Sequence, residues 1–468
     1  MDSLMMRLNK MRWWFFALLL CAGMGVRLYD LSDLPLDFHP VRQLRALVLA
    51  RAIYLPLDGD APQWQVQAAQ AQAQREGLIE PPLMEGLTAW TYLALGREAA
   101  WVGRLYAILF WLWGALGVFL LARRASGWVG ALSGGAYFLF LPYAIQASRS
   151  FQPDPLLTGC IIWAFWAALR WHEHPTTWRW PLIAGLLAGL ALFVKSVAVF
   201  FVAAGWLGIL LAEGRPETLR GWLVRIRSAR LWLVGLLAIL PLALFLLYGL
   251  VWTQRMAGQF SLRFFPALWV QPSFYWRWLQ MMGQTAGLAW VGLGLLGTLL
   301  IPGRSMRGLM LGAWVGYGLY GLAFAYHITT HDYYQLPLLA LTAIGLAAAL
   351  QALFDALKSV HRSANNAPAV IFLLLGLMLC SFGAANAGYD LRKTDYRPQA
   401  EFWTQIGQQL GPNERVLALT QDYGYPLTYW GWRNCDIWFA GGDFEYRALA
   451  GDPLDMAEYF ATRIEGQD

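Results

Sequence analysis

Long apolar runs separated by short, arginine-rich connections set the rhythm of this chain. Eleven such runs fall at about 12–28, 101–122, 127–146, 155–171, 181–194, 197–212, 231–251, 284–301, 308–326, 335–354 and 367–385. At 1.5 Å per residue, roughly 20 apolar residues cross the hydrocarbon core of a bilayer, so the pattern predicts an α-helical polytopic membrane protein with about 11 transmembrane helices. Lys195 interrupts 181–212, which predicts one bent helix or two short ones around it. The first run is short for a span, and Arg27 and Tyr29 are expected to sit in the interface. Its basic start, MDSLMMRLNKMR, is read as the flank of an uncleaved first helix, because no A-x-A cleavage signal follows the apolar stretch.

Charge then orients the runs. Arg7, Lys10 and Arg12 place the N-terminus in the cytoplasm. Alternation puts Arg123 and Arg124, Arg179, the stretch EGRPETLRGWLVRIRSAR (213–230), Arg304 and Arg307, and Lys358 and Arg362 on the same side. The other, extracytoplasmic face receives three things: a long first loop (29–100), short loops carrying SRSFQPDP, VKS and HITTHDYYQ, and the C-terminal tail. Within the first loop, helix-like stretches at 40–54, 62–76 and 82–95 alternate with turn signals such as LPLDGDAP and EPP. They predict amphipathic helices lying on the outer face. Two domains are expected: 1–385, the membrane part, and 386–468, a small extracytoplasmic α/β module. The latter reads as a helix, a Gly-Pro stop and a short strand RVLALT, and it ends on a helix-like stretch without a closing strand.

Composition agrees and excludes alternatives. The chain of 468 residues is 58% hydrophobic and only 14% charged, with mean hydropathy +0.42, whereas soluble domains carry roughly a quarter charged residues. The net charge of +6 is dispersed through inter-helix loops, so nucleic acid is not an expected partner. Cys21, Cys160, Cys380 and Cys435 show neither a pairing nor a zinc spacing and are read as packing residues. No G-x-x-x-x-G-K and no G-x-S-x-G is present, and the many glycines sit in apolar runs, where they serve close packing.

The expected topology gathers Asp37, His39, Arg42, Glu80, Arg149, Asp154, Lys195, His331 and Asp332 at one membrane face, from five separate loops. Charged groups at a membrane edge are functional candidates by default. Asp37 lies between Leu36 and Phe38, whose apolar neighbourhood would make it a better base; the plainer reading is a loop or capping acid, like Asp30 and Asp33. Glu80 precedes Pro81–Pro82, either as a charge favouring a helix N-terminus or as a group fixed at a cavity rim. The prolines of SRSFQPDP break two helices so that Arg149 and Asp154 face one another or a ligand. Lys195, alone in an apolar run, either snorkels or holds a phosphate. His327, His331, Tyr333 and Tyr334 supply imidazoles and hydroxyls suited to an anionic head group. A metal on the two histidines is disfavoured, because the Thr-Thr between them is weakly helical and no third ligand is near.

The order of these motifs over roughly 12–355 resembles the GT-C glycosyltransferases, closest to the branch of protein O-mannosyltransferases and lipid A aminoarabinose transferases (glycosyltransferase family 39-like). The resemblance rests on an acid in the first outer loop, Pro-Pro at that loop's end, S-R-x(4)-D after the third run, a lysine near the fifth and H-x-Y-Y late in the chain. It implies an inverting glycosyltransferase that moves a sugar from a polyprenyl-phosphate donor to a hydroxyl acceptor (lipid, glycan or protein) at the outer face of the cell membrane. Asp37 would be the general base, Glu80, Arg149 and Asp154 would be site residues, and Lys195 would bind phosphate. His39, Arg42 and Gln43 would contact sugar or phosphate. A phosphate-linked donor carries its own activation, so no cofactor is expected. One departure stands out: relatives carry Asp-Glu about where this chain has Val41–Arg42 or Arg42–Gln43, and here the acid lies four or five residues earlier. The competing reading is a transporter or lipid flippase with an outer charged vestibule, which would show inverted repeats and midplane ionisable groups. A scaffold whose C-terminal module binds a partner is the other.

Overall fold

The computed structural model describes residues 2–212, 227–256, 263–360, 367–411, 416–436 and 438–464. Helix α1 (Asp2–Leu28) leads into three first-loop helices, α2 (Pro40–Tyr54), α3 (Gln63–Arg75) and α4 (Leu83–Leu95). Then come α5 (Trp101–Ala125), α6 (Trp128–Phe140), α7 (Pro142–Ala147), α8 (Asp154–Glu173), α9 (Arg179–Val194) and α10 (Ala198–Ala212). The later apolar runs form the helices Ala229–Leu247, Leu288–Leu299, Arg304–Ala323, Leu336–Val360 and Ala367–Arg392. Each of the eleven runs is thus helical over most of its length. Among the described residues, four stretches are long and apolar enough to cross a membrane: Trp101–Ala125, Ala229–Trp252, Asp332–Ser359 and Ala367–Gln409. Most of the basic stretch 213–230, and Arg362, lie outside the described residues.

The breaks follow local chemistry. The run 127–146 divides at Leu141, whose ψ of 127° is the extended geometry that a following proline enforces. The run 181–212 is two helices. Lys195 stands at the break with φ −159° and ψ 122°. The helix Pro272–Thr285, amphipathic and opened by proline, has no counterpart among the expected elements, because its polar face kept it below the apolar threshold.

Packing ranks the helices by position. The helix Leu336–Val360 is central, whereas most of Ala229–Trp252 and Ala367–Gln409 faces outward, as lipid-exposed helices do. Helix α10 packs on Arg304–Ala323 through Gly308, Gly312 and Gly316, spaced four apart on one face. A Cβ at Gly312 would stand 2.1 Å from the Ala204 carbonyl oxygen, so only glycine permits this backbone approach.

Two expectations are corrected. Arg27 is not in the interface: it is fully buried, donating to Ser148 Oγ (2.7 Å) and to the Gly23 carbonyl (2.9 Å). Burial is sustained because these acceptors replace water. Cys21 is exposed on the outer surface of α1, while Cys160 is buried and all four cysteines are free.

The two ends of the bundle differ. At one, Arg124 pairs with Glu173, joining the last turns of α5 and α8, and Arg123 stacks over Trp128 (4.3 Å) and Trp13 (5.4 Å). At the other lie the first-loop helices, the 148–153 turn and Lys195. The C-terminal segment packs against that second end. It is built of the helices Arg397–Gln409, Tyr425–Tyr429, Gly441–Leu449 and Met456–Ile464 around two short parallel strands, β1 (Val416–Leu417) and β2 (Cys435–Asp436).

Candidate active site

The site is assembled from loops that the bundle holds at one end. α2 begins with Pro40 at its first turn, where a missing N–H costs nothing, and it presents Arg42 and Arg45 three residues apart on one face. Both reach the 76–80 segment. Arg42 donates to both Glu80 oxygens (3.2 and 2.9 Å), and Arg45 pairs with Glu76 at 3.1 Å. Lys195, freed from helical geometry at the α9–α10 break, sits 2.9 Å from Asp154 Oδ1 and 3.5 Å from Glu80 Oε1. Asp154 opens α8, where a carboxylate suits the helix dipole. Above Lys195 stand the rings of Tyr333 (5.2 Å) and Tyr334 (4.8 Å), and Arg42 lies 5.5 Å from the Tyr333 ring.

Electrostatics keep this group charged. Burial alone would raise the Glu80 carboxyl, but Arg42, Lys195 and Arg45 outweigh it and bring the group down to about 2. Burial alone would lower Lys195; Asp154 and Glu80 reverse that, and the ammonium is held above its ordinary range. The histidines behave oppositely. Burial, with neighbouring cations, drives His327 down to about 3 and His331 down to about 4. Both are therefore neutral at pH 7, and His327 Nδ1 is buried without a hydrogen-bond partner. Their rings lie 5.2 Å apart, and among the described residues no three His, Cys, Asp or Glu side chains are arranged to hold a metal ion.

Asp37 belongs to a second group. Its Oδ2 accepts from Arg104 Nη2 at 2.6 Å and lies 3.9 Å from Arg149 Nη1. Its Oδ1 is buried and has no hydrogen-bond partner. Arg104 also donates to the Asp33 carbonyl (2.9 Å), and Arg149 to the Asp30 carbonyl (3.0 Å), so both arginines fix the loop that carries Asp37. Burial and the nearby Arg104 lower Arg149 to about 10. The expected apolar environment of Asp37 is therefore corrected: a fully buried arginine holds it. Arg104 was missed. Its signal in the sequence is a lone cation one turn into the run WVGRLYAILF.

Arg149 and Asp154 do not face one another. The turn between them sends Arg149 to Asp37 and Asp154 to Lys195. Gln43 spends its amide on the backbone, donating to the Phe38 carbonyl (2.6 Å) and accepting from Phe151 N–H (2.9 Å); fully buried, it braces α2 against the 148–153 turn. His39 joins the two groups, its Nε2 lying 2.5 Å from Asp332 Oδ1. His331 Nδ1 is 2.8 Å from the Thr330 hydroxyl.

Beside Lys195 opens a small cleft with about 30 Å³ of enclosed volume. Glu80, Lys195 and Arg263 form its polar head. Phe193, Leu242, Phe245, Leu246 and Met256 form its walls. A cationic head beside apolar walls suits an amphiphile with an anionic head group.

Fold and site together resemble those of GT-C-type polytopic membrane proteins. Residues 80–248 match the family model described as dolichyl-phosphate-mannose-protein mannosyltransferase. The fold is similar to that of ArnT from Cupriavidus metallidurans: the structure bound to undecaprenyl phosphate aligns with a TM-score of 0.59 at 15% identity, over 97% of this chain and 91% of that one. The apo form of the same protein aligns at 0.57 and 17% identity, over 98% and 92%. AglB from Archaeoglobus fulgidus, an archaeal oligosaccharyltransferase in complex with an inhibitory peptide and a dolichol-phosphate, aligns at 0.57 and 14% identity, over 91% of this chain and 64% of that one. No curated protein matches by sequence. The resemblance to GT-C glycosyltransferases thus stands on the family match and the fold together.

Proposed function

We propose that this protein is an inverting glycosyltransferase that moves a sugar from a polyprenyl-phosphate donor to a hydroxyl acceptor at the extracytoplasmic face of the cell membrane. The observation that carries the reading is the cleft beside Lys195, whose cationic head and apolar walls match a lipid phosphate. In this reading the donor phosphate exchanges for Glu80 and Asp154 in contacts with Lys195 and Arg42. Tyr333, Tyr334 and neutral His331 line its other side.

The acceptor O–H attacks the anomeric carbon from the side of Asp37. Its proton passes to Asp37 Oδ1, the unpartnered oxygen, while Arg104 keeps Oδ2 in place. The bond from the anomeric carbon to the phosphate oxygen breaks, and its electron pair stays on the phosphate, where Lys195 and Arg42 stabilise the growing charge. One displacement inverts the anomeric centre. The step needs no cofactor.

The eleven helical runs are proposed as transmembrane spans, with residues 386–468 as the extracytoplasmic module. The arginine-rich end with Arg123 and Arg124 then lies in the cytoplasm, as the positive-inside bias favours. A transporter would need ionisable groups near the midplane, whereas these cluster at one end.

The test supplies membranes containing the full chain with radiolabelled polyprenyl-phosphate hexoses and pentoses, and compares wild type with Asp37→Asn. Loss of at least about 100-fold in transfer, the size expected of a general base, with folding intact, supports the reading. Full transfer by the variant rejects Asp37 as the base. Absence of any transfer by wild type, together with flux of a labelled lipid across the membrane, favours the transporter.

A further inference from the structure

The proposed reaction needs two half-sites in register: the base that takes the acceptor's proton, and the cations that take the leaving phosphate. They sit on different elements. Asp37 is on the loop after α1, fixed by Arg104 and Arg149. Tyr333 and Tyr334, which roof Lys195, are on the turn Asp332–Gln335. The chain connects these two elements only through almost three hundred residues.

His39 spans the gap. It lies two residues beyond Asp37 and holds a left-handed backbone, φ 46° and ψ 63°, immediately before Pro40. A residue before proline is normally extended, and a non-glycine residue in the left-handed region persists where its surroundings over-determine it. The side chain supplies that constraint. Its Nε2 is 2.5 Å from Asp332 Oδ1, and its ring meets Tyr333 edge-on at 5.1 Å and Phe38 at 4.5 Å. Asp332 directly precedes the two tyrosines, so the contact ties the base-bearing loop to the roof of the phosphate half-site.

Resting on the glycosyltransferase reading, we propose that His39 and Asp332 form a positioning clamp that sets the separation between the base Asp37 and the departing phosphate. The clamp acts through Asp37 and takes no proton from substrate itself. Breaking it leaves each half-site intact but lets the separation between them drift, and a misplacement of about 1 Å costs on the order of 100-fold in rate. The effect therefore falls on kcat and leaves carrier-lipid affinity alone.

The experiment uses the full-length protein in membranes or nanodiscs, with His39→Gln, Asp332→Asn, the double variant, the swapped pair (His39→Asp with Asp332→His) and Asp37→Asn. Transfer from labelled polyprenyl-phosphate hexose or pentose gives kcat and KM; binding of unlabelled polyprenyl phosphate gives affinity; a thermal melt reports folding. Each single variant is expected to lose about 10- to 100-fold in kcat, with polyprenyl phosphate affinity within about twofold of wild type. The double variant should be no slower than the slower single, and the swap should recover part of the rate. Single variants at full kcat overturn the clamp, and so does a parallel loss of lipid affinity. If the single variants melt early, the swap decides: recovered folding without recovered rate also overturns it. The two proposals separate cleanly. Full transfer by Asp37→Asn rejects the base assignment, whereas an inactive Asp37→Asn beside a fully active Asp332→Asn rejects the clamp alone.

Discussion

At the scale of single residues, the site is a matter of charges taken out of water and paired. Lys195 is almost fully buried with Asp154 and Glu80 around it. Removing one partner of such a group costs about 3–5 kcal/mol, because a buried charge is left uncompensated. Lys195→Met should therefore weaken polyprenyl phosphate binding and lower the melting temperature. The pair Lys195→Met with Asp154→Asn should recover stability but not binding, which a thermal melt beside a lipid-binding titration distinguishes. Glu85 gives a pH signature. Burial pushes its carboxyl from 4.5 to about 7, so the fold favours its protonated form. That contribution is complete below about pH 4.5 and is lost as pH rises through 7, amounting to about 3 kcal/mol. Glu80, held at about 2, works the other way: its contribution is present above pH 4.5 and fades only as pH falls toward 2. Melting between pH 5 and 8 should thus fall in wild type and stay flatter in Glu85→Gln; an unchanged slope in the variant would remove Glu85 from the explanation. Lys195 was legible in the sequence because a charge in an apolar run is conspicuous, and Glu80 because it stands directly before Pro81–Pro82. Their partners were not, since pairing across 41 or 115 positions is decided by packing. The same limit hides the role of Arg42, a cation that Glu80 neutralises across the first loop.

At the scale of elements, periodicity carried the reading far. The first-loop helices expected at 40–54, 62–76 and 82–95 are found at Pro40–Tyr54, Gln63–Arg75 and Leu83–Leu95, because proline and glycine punctuate them. Pro272–Thr285 escaped, since an amphipathic helix buries one face without an unbroken apolar run. Helix packing was legible only as glycine content, and the structure turns that into a stripe. Gly312→Leu would force side-chain atoms into the Ala204 carbonyl and separate α10 from Arg304–Ala323. A cost beyond the ~1–3 kcal/mol usual for overpacking is expected, because backbone and not a side chain must move. Gly318→Leu, on the same helix with open space around it, is the control. The comparison is the yield and melting temperature of the two variants; equal behaviour would mean the stripe does not hold the pair.

At the scale of the whole molecule, the C-terminal module is coupled to the site through the first loop and not through the membrane helices alone. Arg51 of α2 is the centre of the contact. Its Nε donates to both Glu98 oxygens (2.9 and 3.0 Å), its Nη1 donates to the Tyr429 carbonyl (2.5 Å), and its guanidinium lies 3.9 Å from the Tyr429 ring and 4.0 Å from that of Trp432. Gln72 donates to the Thr428 carbonyl, and the Tyr425 hydroxyl donates to Glu76, whose other partner is Arg45. The sequence disclosed the composition shift near 386 but not this docking, because arginine-on-aromatic contacts across almost four hundred residues leave no local pattern. The contact has the form of a binding hot spot, a buried arginine between aromatic rings, where truncation costs about 2 kcal/mol or more. Arg51→Ala should then raise the undocked population by about 30-fold, and limited trypsin digestion at the exposed Lys393, between the helices Ala367–Arg392 and Arg397–Gln409, should accelerate in proportion. Arg51→Lys keeps the charge but loses the planar stacking, so its cleavage rate should fall between the two. Wild-type cleavage rates in Arg51→Ala would mean that Tyr425–Glu76 and Gln72–Thr428 hold the module without the stack, and that Arg51 serves only to neutralise Glu98.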